Sequence, residues 1–306
     1  MDPLIFHNDR ILKATEARLA PGQVGLLTGW GVFTTLRLYR GQPFAFERHW
    51  ARMSRDAERL SVKLSHTRDF VHDAVVQVAR ANRRRAGMAR VAFIRNQGGL
   101  WGDREERPPS DLLIFSRELV PWPARHRLTL RPRAIFSSGQ LAGAKMLSWV
   151  PHSLALEQAH AEGFDEVLLL NEKWQLAECA SANIFLVRDK RVLTPPLSSG
   201  CLAGVTREIL LEIAPQAGVE IVEQDQTAAD LESAEECFIS STTREVAAVE
   251  FISPKWHFKA PGRITRKLDQ AFQAYVAAHL PEPVTGKSSQ DESREFSPKT
   301  QTWHKP

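Results

Sequence analysis

The strongest constraint on the fold is a repeated change of period along the chain. Short apolar runs that alternate every second residue give way to stretches that repeat every three to four. The first pattern puts one face of a strand into a core, and the second does the same for one face of a helix. Residues 34–46 read as two strands around Arg40-Gly41-Gln42. Helices are predicted from Arg48 to Leu64 and from Thr67 to Asn82, followed by strands over 89–95, 112–116 and 127–135. In the second half, helices are predicted from Pro151 to Glu162, Thr206 to Ala214 and Ile264 to Leu280. Between them lie strands at 166–170, 183–187, 191–194, 220–222, 236–240 and 246–251. The fold class is therefore α/β (α+β), and no internal repeat is visible.

A length of 306 residues accommodates about two domains at ~150 residues each. The stiff run Val120-Pro121-Trp122-Pro123 marks the expected boundary. The expected division is a small N-terminal α/β domain at 1–120 and a larger one at 121–282. Beyond Pro281 aliphatic residues almost vanish, so 283–306 is expected to be a disordered tail.

With 43% hydrophobic and 25% charged residues, the chain reads as an ordinary soluble protein. No run approaches the ~18 apolar residues needed to cross a bilayer. The first ten residues lack the basic-then-apolar order of a signal peptide, so a cytoplasmic protein without membrane partners is expected. A net charge of +4 is spread along the chain. Arg83-Arg84-Arg85 reads as a solvated helix end, and no nucleic-acid partner is expected. Cys179, Cys201 and Cys237 form no CxxC pair and read as reduced thiols.

Phosphate-loop, zinc-protease, nucleophile-elbow and dinucleotide motifs are all missing from the sequence. His152 and His160 share a predicted helix but read as exposed or core histidines, and no metal is expected. Four features can carry chemistry. Gly204-Val205-Thr206-Arg207 opens an apolar-periodic helix, as an anion site or as a simple threonine cap. The hydroxyl cluster Ser240-Ser241-Thr242-Thr243 is either a second set of donors or a polar turn. Lys145, among small and apolar residues, is either a desolvated nucleophile or a lysine that snorkels to water. Glu178, ahead of the strand Ile184-Phe185-Leu186-Val187, either pairs with a buried cation or sits solvated in a loop.

In this order, these segments resemble the class IV aminotransferase family, the fold-type IV enzymes that use pyridoxal 5′-phosphate. The resemblance covers roughly residues 5–280. It rests on Gly29-Trp30-Gly31-Val32-Phe33-Thr34-Thr35-Leu36-Arg37, His49-Trp50-Ala51-Arg52-Met53, Ala144-Lys145-Met146-Leu147, residues 178–185 and residues 204–207. It implies two α/β domains with the cofactor between them, a small-molecule substrate and a homodimer. Residue by residue, it implies that Lys145 forms the Schiff base and that Glu178 keeps the pyridine nitrogen protonated. Arg52, the backbone of Val205 and Thr206, the Thr206 hydroxyl and Thr242 would hold the phosphate. Phe33-Thr34-Thr35, Leu141-Ala142-Gly143 and Arg95 followed by Gly98-Gly99 are similar to 4-amino-4-deoxychorismate lyases, which release 4-aminobenzoate and pyruvate. That resemblance implies substrate contacts from Thr34 and Arg95. Trp30 stands in place of a usual aspartate, and Ser148-Trp149 in place of Asn-Tyr or Asn-Arg. A branched-chain or D-amino-acid aminotransferase is the alternative, and a cofactor-binding protein without catalysis a second.

Overall fold

The computed structural model describes residues 1–98 and 107–280. Gly99 and the tail at 283–306 lie outside them. The chain opens with the hairpin β1 (Leu4–His7) and β2 (Arg10–Lys13), the short helix α1 (Val24–Thr28), and the hairpin β3 (Gly31–Tyr39) and β4 (Gln42–Pro43). Helices α2 (Phe46–Arg59) and α3 (Arg68–Ala81) follow, then β5 (Gly87–Arg95) and β6 (Ser110–Arg117). Next come β7 (His126–Ile135), α4 (Val150–Ala161), β8 (Glu166–Asn171), β9 (Leu176–Cys179), β10 (Asn183–Arg188) and β11 (Arg191–Thr194). The remaining elements are α5 (Val205–Ile213), β12 (Ile221–Glu223), α6 (Asp230–Ser233), β13 (Glu236–Ser241), β14 (Glu245–Ile252), β15 (Trp256–His257) and α7 (Arg263–His279).

Two sheets result. The first is antiparallel with six strands in the order β2-β1-β6-β5-β3-β4. The second is mixed, in the order β12-β11-β10-β13-β14-β7-β8-β9, with β15 paired to β14. Helix α3 begins where the Thr67 hydroxyl accepts a hydrogen bond from the Phe70 amide, satisfying one of the free donors of its first turn. Its buried residues Val71, Ala74, Val75 and Val78 recur at helical spacing and pack on Leu36, Leu38, Val91 and Phe93 of the first sheet. Helix α2 stops at Arg59, short of the expected Leu64. Ser61 turns into the left-handed region at φ 53°, and Leu60 and Val62 tuck into the core instead.

Strand β10 shows how period two divides the second core. Phe185 and Val187 pack beneath α5 and α7, whereas Ile184 and Leu186 face the opposite cluster with Leu168 and Ile239. Phe185 stacks on Phe238 with ring centroids 4.6 Å apart. Burial of one such ring stabilises the fold by about 1.5–3 kcal/mol and seats α5, whose first turn faces the candidate site.

The two sheets are interlocked. Phe44, from the β3–β4 hairpin, packs against Phe272 and Tyr275 of α7 in the second core. In the other direction, the segment 145–147 pairs with β3. The Phe33 amide donates to the Lys145 carbonyl at 3.1 Å, and the Leu147 amide to the Gly31 carbonyl at 2.9 Å. Only glycine suits position 31, because a Cβ there would run into the Phe93 carbonyl and the Leu147 side chain.

Candidate active site

A cavity of about 520 Å³ lies at this seam. Its lining carries three cations, Lys145, Arg52 and Arg90, against one carboxylate, Glu178. That imbalance in a partly desolvated space favours an anionic occupant.

Lys145 is fixed through its backbone. Its amide donates to Asp56 Oδ2 at 3.1 Å, from the buried face of α2. One turn further along α2, Arg59 grips the carbonyls of Gln140 and Ala142, each at 2.9 Å. The Lys145 amine lies 4.6 Å from the Phe33 ring centroid and 4.3 Å from that of Trp149. Burial, then repulsion by the Arg52 guanidinium, pushes the ammonium down to about 7, although Glu178 pulls the other way. A large fraction is therefore the neutral, nucleophilic amine near pH 7.

Glu178 is the penultimate residue of β9 and is 5% exposed. Its Oε2 accepts from the Leu202 amide at 2.9 Å, and its Oε1 lies 3.4 Å from His152 Nε2. The Leu202 loop is held in turn by the Asn183 carboxamide, which donates to the Leu202 carbonyl at 2.9 Å. Gly204 caps α5, and a Cβ at that position would overlap Asn183 Oδ1.

The other end of the cavity is built for an anion. Val205 and Thr206 open the nine-residue helix α5, where free N–H groups and the helix dipole favour negative charge. The same cavity is lined by Ser240 and Ser241, at the end of β13, and by Thr242 and Thr243 in the turn that follows. Arg52 comes from α2. Burial lowers its guanidinium to about 10, which leaves it charged at neutral pH. Its Nη2 donates to Thr34 Oγ1 at 2.9 Å, and its Nη1 reaches the Ala203 carbonyl at 3.3 Å. Arg52 Nε and Ser240 Oγ are buried without protein partners, as expected of groups that serve a ligand.

The structure brings Lys145, Arg52, Glu178, Val205, Thr206 and Thr242 to one cavity. Thr34 and Arg95, for which the resemblance implies substrate contacts, are not among the residues that line it. The reason is strand parity. On β3, Phe33 and Thr35 face the cavity, so Thr34 points away, 1% exposed, beneath α2. Because Arg52 can only donate, the Thr34 hydroxyl accepts from it, and the same oxygen is hydrogen-bonded to His49 Nδ1 at 2.8 Å. Burial holds His49 well below its ordinary range, hence neutral. Arg95 has the same parity problem on β5. Its guanidinium lies 4.0 Å over Trp30 and donates to the carbonyls of Ser61 and Gln97.

Arg90, five residues earlier on β5 and therefore on the opposite face, lines the cavity with Met88. It lies 4.6 Å over the Phe33 ring and donates from Nε to Thr35 Oγ1 at 3.3 Å. Sequence reasoning missed Arg90, Asp56 and the contact of His152 with Glu178. The signal for Arg90 was its position in step with Met88, out of phase with Ala89, Val91 and Phe93.

A family model described as amino-transferase class IV matches residues 31–252. A Methanocaldococcus jannaschii protein, provisionally named a branched-chain-amino-acid aminotransferase, is 29% identical over 88% of this chain and 95% of its own. A D-alanine aminotransferase of Listeria innocua is 25% identical over 81% and 87%. Among solved structures, a branched-chain aminotransferase of Thermoproteus uzoniensis with norvaline superposes with a TM-score of 0.83 at 24% identity, covering 92% and 97%. A branched-chain amino acid aminotransferase of T.th. with pyridoxamine 5′-phosphate gives 0.80 at 25%, with the same coverage. A provisionally named 4-amino-4-deoxychorismate lyase from Legionella pneumophila shares the fold at 0.78 and 21% identity, covering 85% and 96%.

The chain belongs to the class IV aminotransferase family. It is a pyridoxal-phosphate-dependent enzyme of that family, an aminotransferase or lyase on a mixed α/β fold.

Proposed function

We propose that the enzyme transfers the amino group of a carboxylate-bearing primary amine, such as an α-amino acid, to a keto acid. The observation that carries this reading is the placement of Arg90 and Lys145, each 4.6 Å from the same Phe33 ring. The residues present fit pyridoxal 5′-phosphate: a low-pKa amine, a buried carboxylate, and a cationic end with unpartnered donors. When bound, that cofactor supplies an electron sink for a bond broken at the amine-bearing carbon. Arg52, the first amides of α5, the Thr206 hydroxyl and Thr242 hold the phosphate. Glu178 keeps a proton on the ring nitrogen. Lys145 Nζ takes the proton from the substrate carbon and delivers it again within the cavity. Arg90 and Thr35 receive the substrate carboxylate and orient that carbon toward Lys145.

The lyase is the second reading, supported by Phe33-Thr34-Thr35 and Leu141-Ala142-Gly143. There Lys145 Nζ removes the ring proton of aminodeoxychorismate and helps pyruvate leave. The test is an absorbance spectrum of the purified protein, followed by product analysis. Amino transfer between an amino acid and a keto acid, without 4-aminobenzoate from aminodeoxychorismate, supports the first reading. Formation of 4-aminobenzoate and pyruvate overturns it in favour of the second.

The proposed domain division falls in the stretch between β6 and β7, with a sheet on either side. The proposed assembly is a homodimer. Leu26, Leu27, Val150 and Leu154 are about half or more exposed, and Val150 also lines the cavity; a second copy would cover such apolar side chains. No helix of the described residues is long and apolar enough to cross a membrane.

A further inference from the structure

Glu178 needs a fixed orientation to meet a ring nitrogen, yet among the described residues it has a single backbone donor, the Leu202 amide. A carboxylate offers about four acceptor sites, and one bond leaves its plane free to turn. The second group in reach is His152. Its Nε2 lies 3.4 Å from Glu178 Oε1, with the His152 side chain 16% exposed and that of Glu178 6%. His152 sits in the first turn of α4, next to Pro151. Its ring stacks on Trp149 with centroids 3.9 Å apart and planes at 16°. The same Trp149 ring lies 4.3 Å from the Lys145 amine. One imidazole therefore braces both the carboxylate and the aromatic wall over the lysine.

We propose that His152 is a positioning residue that acts on the cofactor ring through Glu178, and the inference rests on the reading that Glu178 meets the ring nitrogen. His152 and the Leu202 amide hold one carboxylate oxygen each, which fixes the carboxylate plane and leaves its lone pairs on the cavity side for the ring N–H. The contact with His152 is long for a hydrogen bond, so its effect is moderate. Leucine at 152 keeps the bulk against Trp149 but removes the donor, whereas glutamine keeps a donor.

The experiment titrates apoprotein with pyridoxal 5′-phosphate and with its 1-deaza analogue, in which C–H replaces the ring nitrogen. Intrinsic tryptophan fluorescence reports both affinities for the wild type, His152→Leu, His152→Gln and Glu178→Gln. Glu178→Gln is expected to lower affinity for the natural cofactor and not for the analogue. His152→Leu is expected to weaken the natural cofactor roughly five- to ten-fold, the scale of one modest charge-assisted contact, and to leave the analogue unchanged. His152→Gln is expected to restore most of the difference. Equal weakening of both compounds by His152→Leu reveals a packing role and overturns the proposal, as does no weakening at all. If Glu178→Gln fails to discriminate the two compounds, the assignment of Glu178 itself falls. If Glu178→Gln discriminates and His152→Leu does not, only the role of His152 falls.

Discussion

Arg90→Gln separates substrate recognition from cofactor chemistry. Arg90 is half-buried on β5, leans on Phe33 and lines the cavity, which Arg52 lines from α2. A guanidinium–carboxylate pair in such a setting contributes about 1.5–3 kcal/mol. Its loss should lower kcat/KM for an amino acid roughly 10- to 150-fold. The matching amine without the carboxylate never uses the pair, so its rate should barely change. The assay follows the first half-reaction by the cofactor's absorbance, under single-turnover conditions, for both compounds with both proteins. Arg90 also lowers the pKa of Lys145 through its charge, so the acid limb of the variant's pH profile should move upward. Equal loss on both compounds, or no loss on the amino acid, refutes the assignment of Arg90 to the carboxylate.

Three further outcomes are expected. In the apoprotein the folded state releases the Lys145 proton near 7, whereas the unfolded chain keeps it to about 10.4. The ammonium therefore destabilises the fold below pH 7, and this penalty fades as pH rises toward 10. Apo Lys145→Met should melt above wild type at pH 6 by roughly 2–4 °C per kcal/mol relieved, with the gap closing by pH 10; parallel curves in scanning fluorimetry contradict this. Gly204→Ala forces a Cβ onto Asn183 Oδ1 and should cost about 1–3 kcal/mol of stability, with weaker cofactor binding in a fluorescence titration. Leu154→Asp places a charge on an exposed apolar position of α4 and, on the proposed homodimer, should shift the particle to monomer in light scattering.

The candidate site was legible through the order of its segments rather than through any one residue. Alone, a glycine before a helix, a lysine among small residues and a carboxylate ahead of a strand each had an ordinary structural reading, and only together did they resemble a known family. Lys145, Glu178, Arg52 and the start of α5 accordingly share one cavity. What was not legible depended on pairing. Whether residue 34 or 35 of β3 faces the cavity is decided by its register against β5, where Thr35 lies opposite Arg90. A shift of one residue exchanges the faces, and for that reason the sequence did not reveal that Thr35 and Arg90, rather than Thr34 and Arg95, line the cavity. The four-residue strands β1, β2 and β9 were not expected from the sequence, although β11, equally short, was. His152 showed nothing in sequence because its partners, Glu178 and the Trp149 ring face, are assembled by the packing of α4 against β8.

The Phe44 ring, lodged against Phe272 and Tyr275, makes the second half of the chain an incomplete object by itself. A fragment starting after residue 120 would carry an empty socket in its core, and the first fragment would carry the plug exposed to water. Mixed together, the two pieces have a built-in reason to find each other. In the intact chain the same plug ties the melting of α7 to that of the β3–β4 hairpin. Heat should then dismantle both halves in one cooperative step, and the lysine-bearing seam lasts as long as that shared socket stays filled.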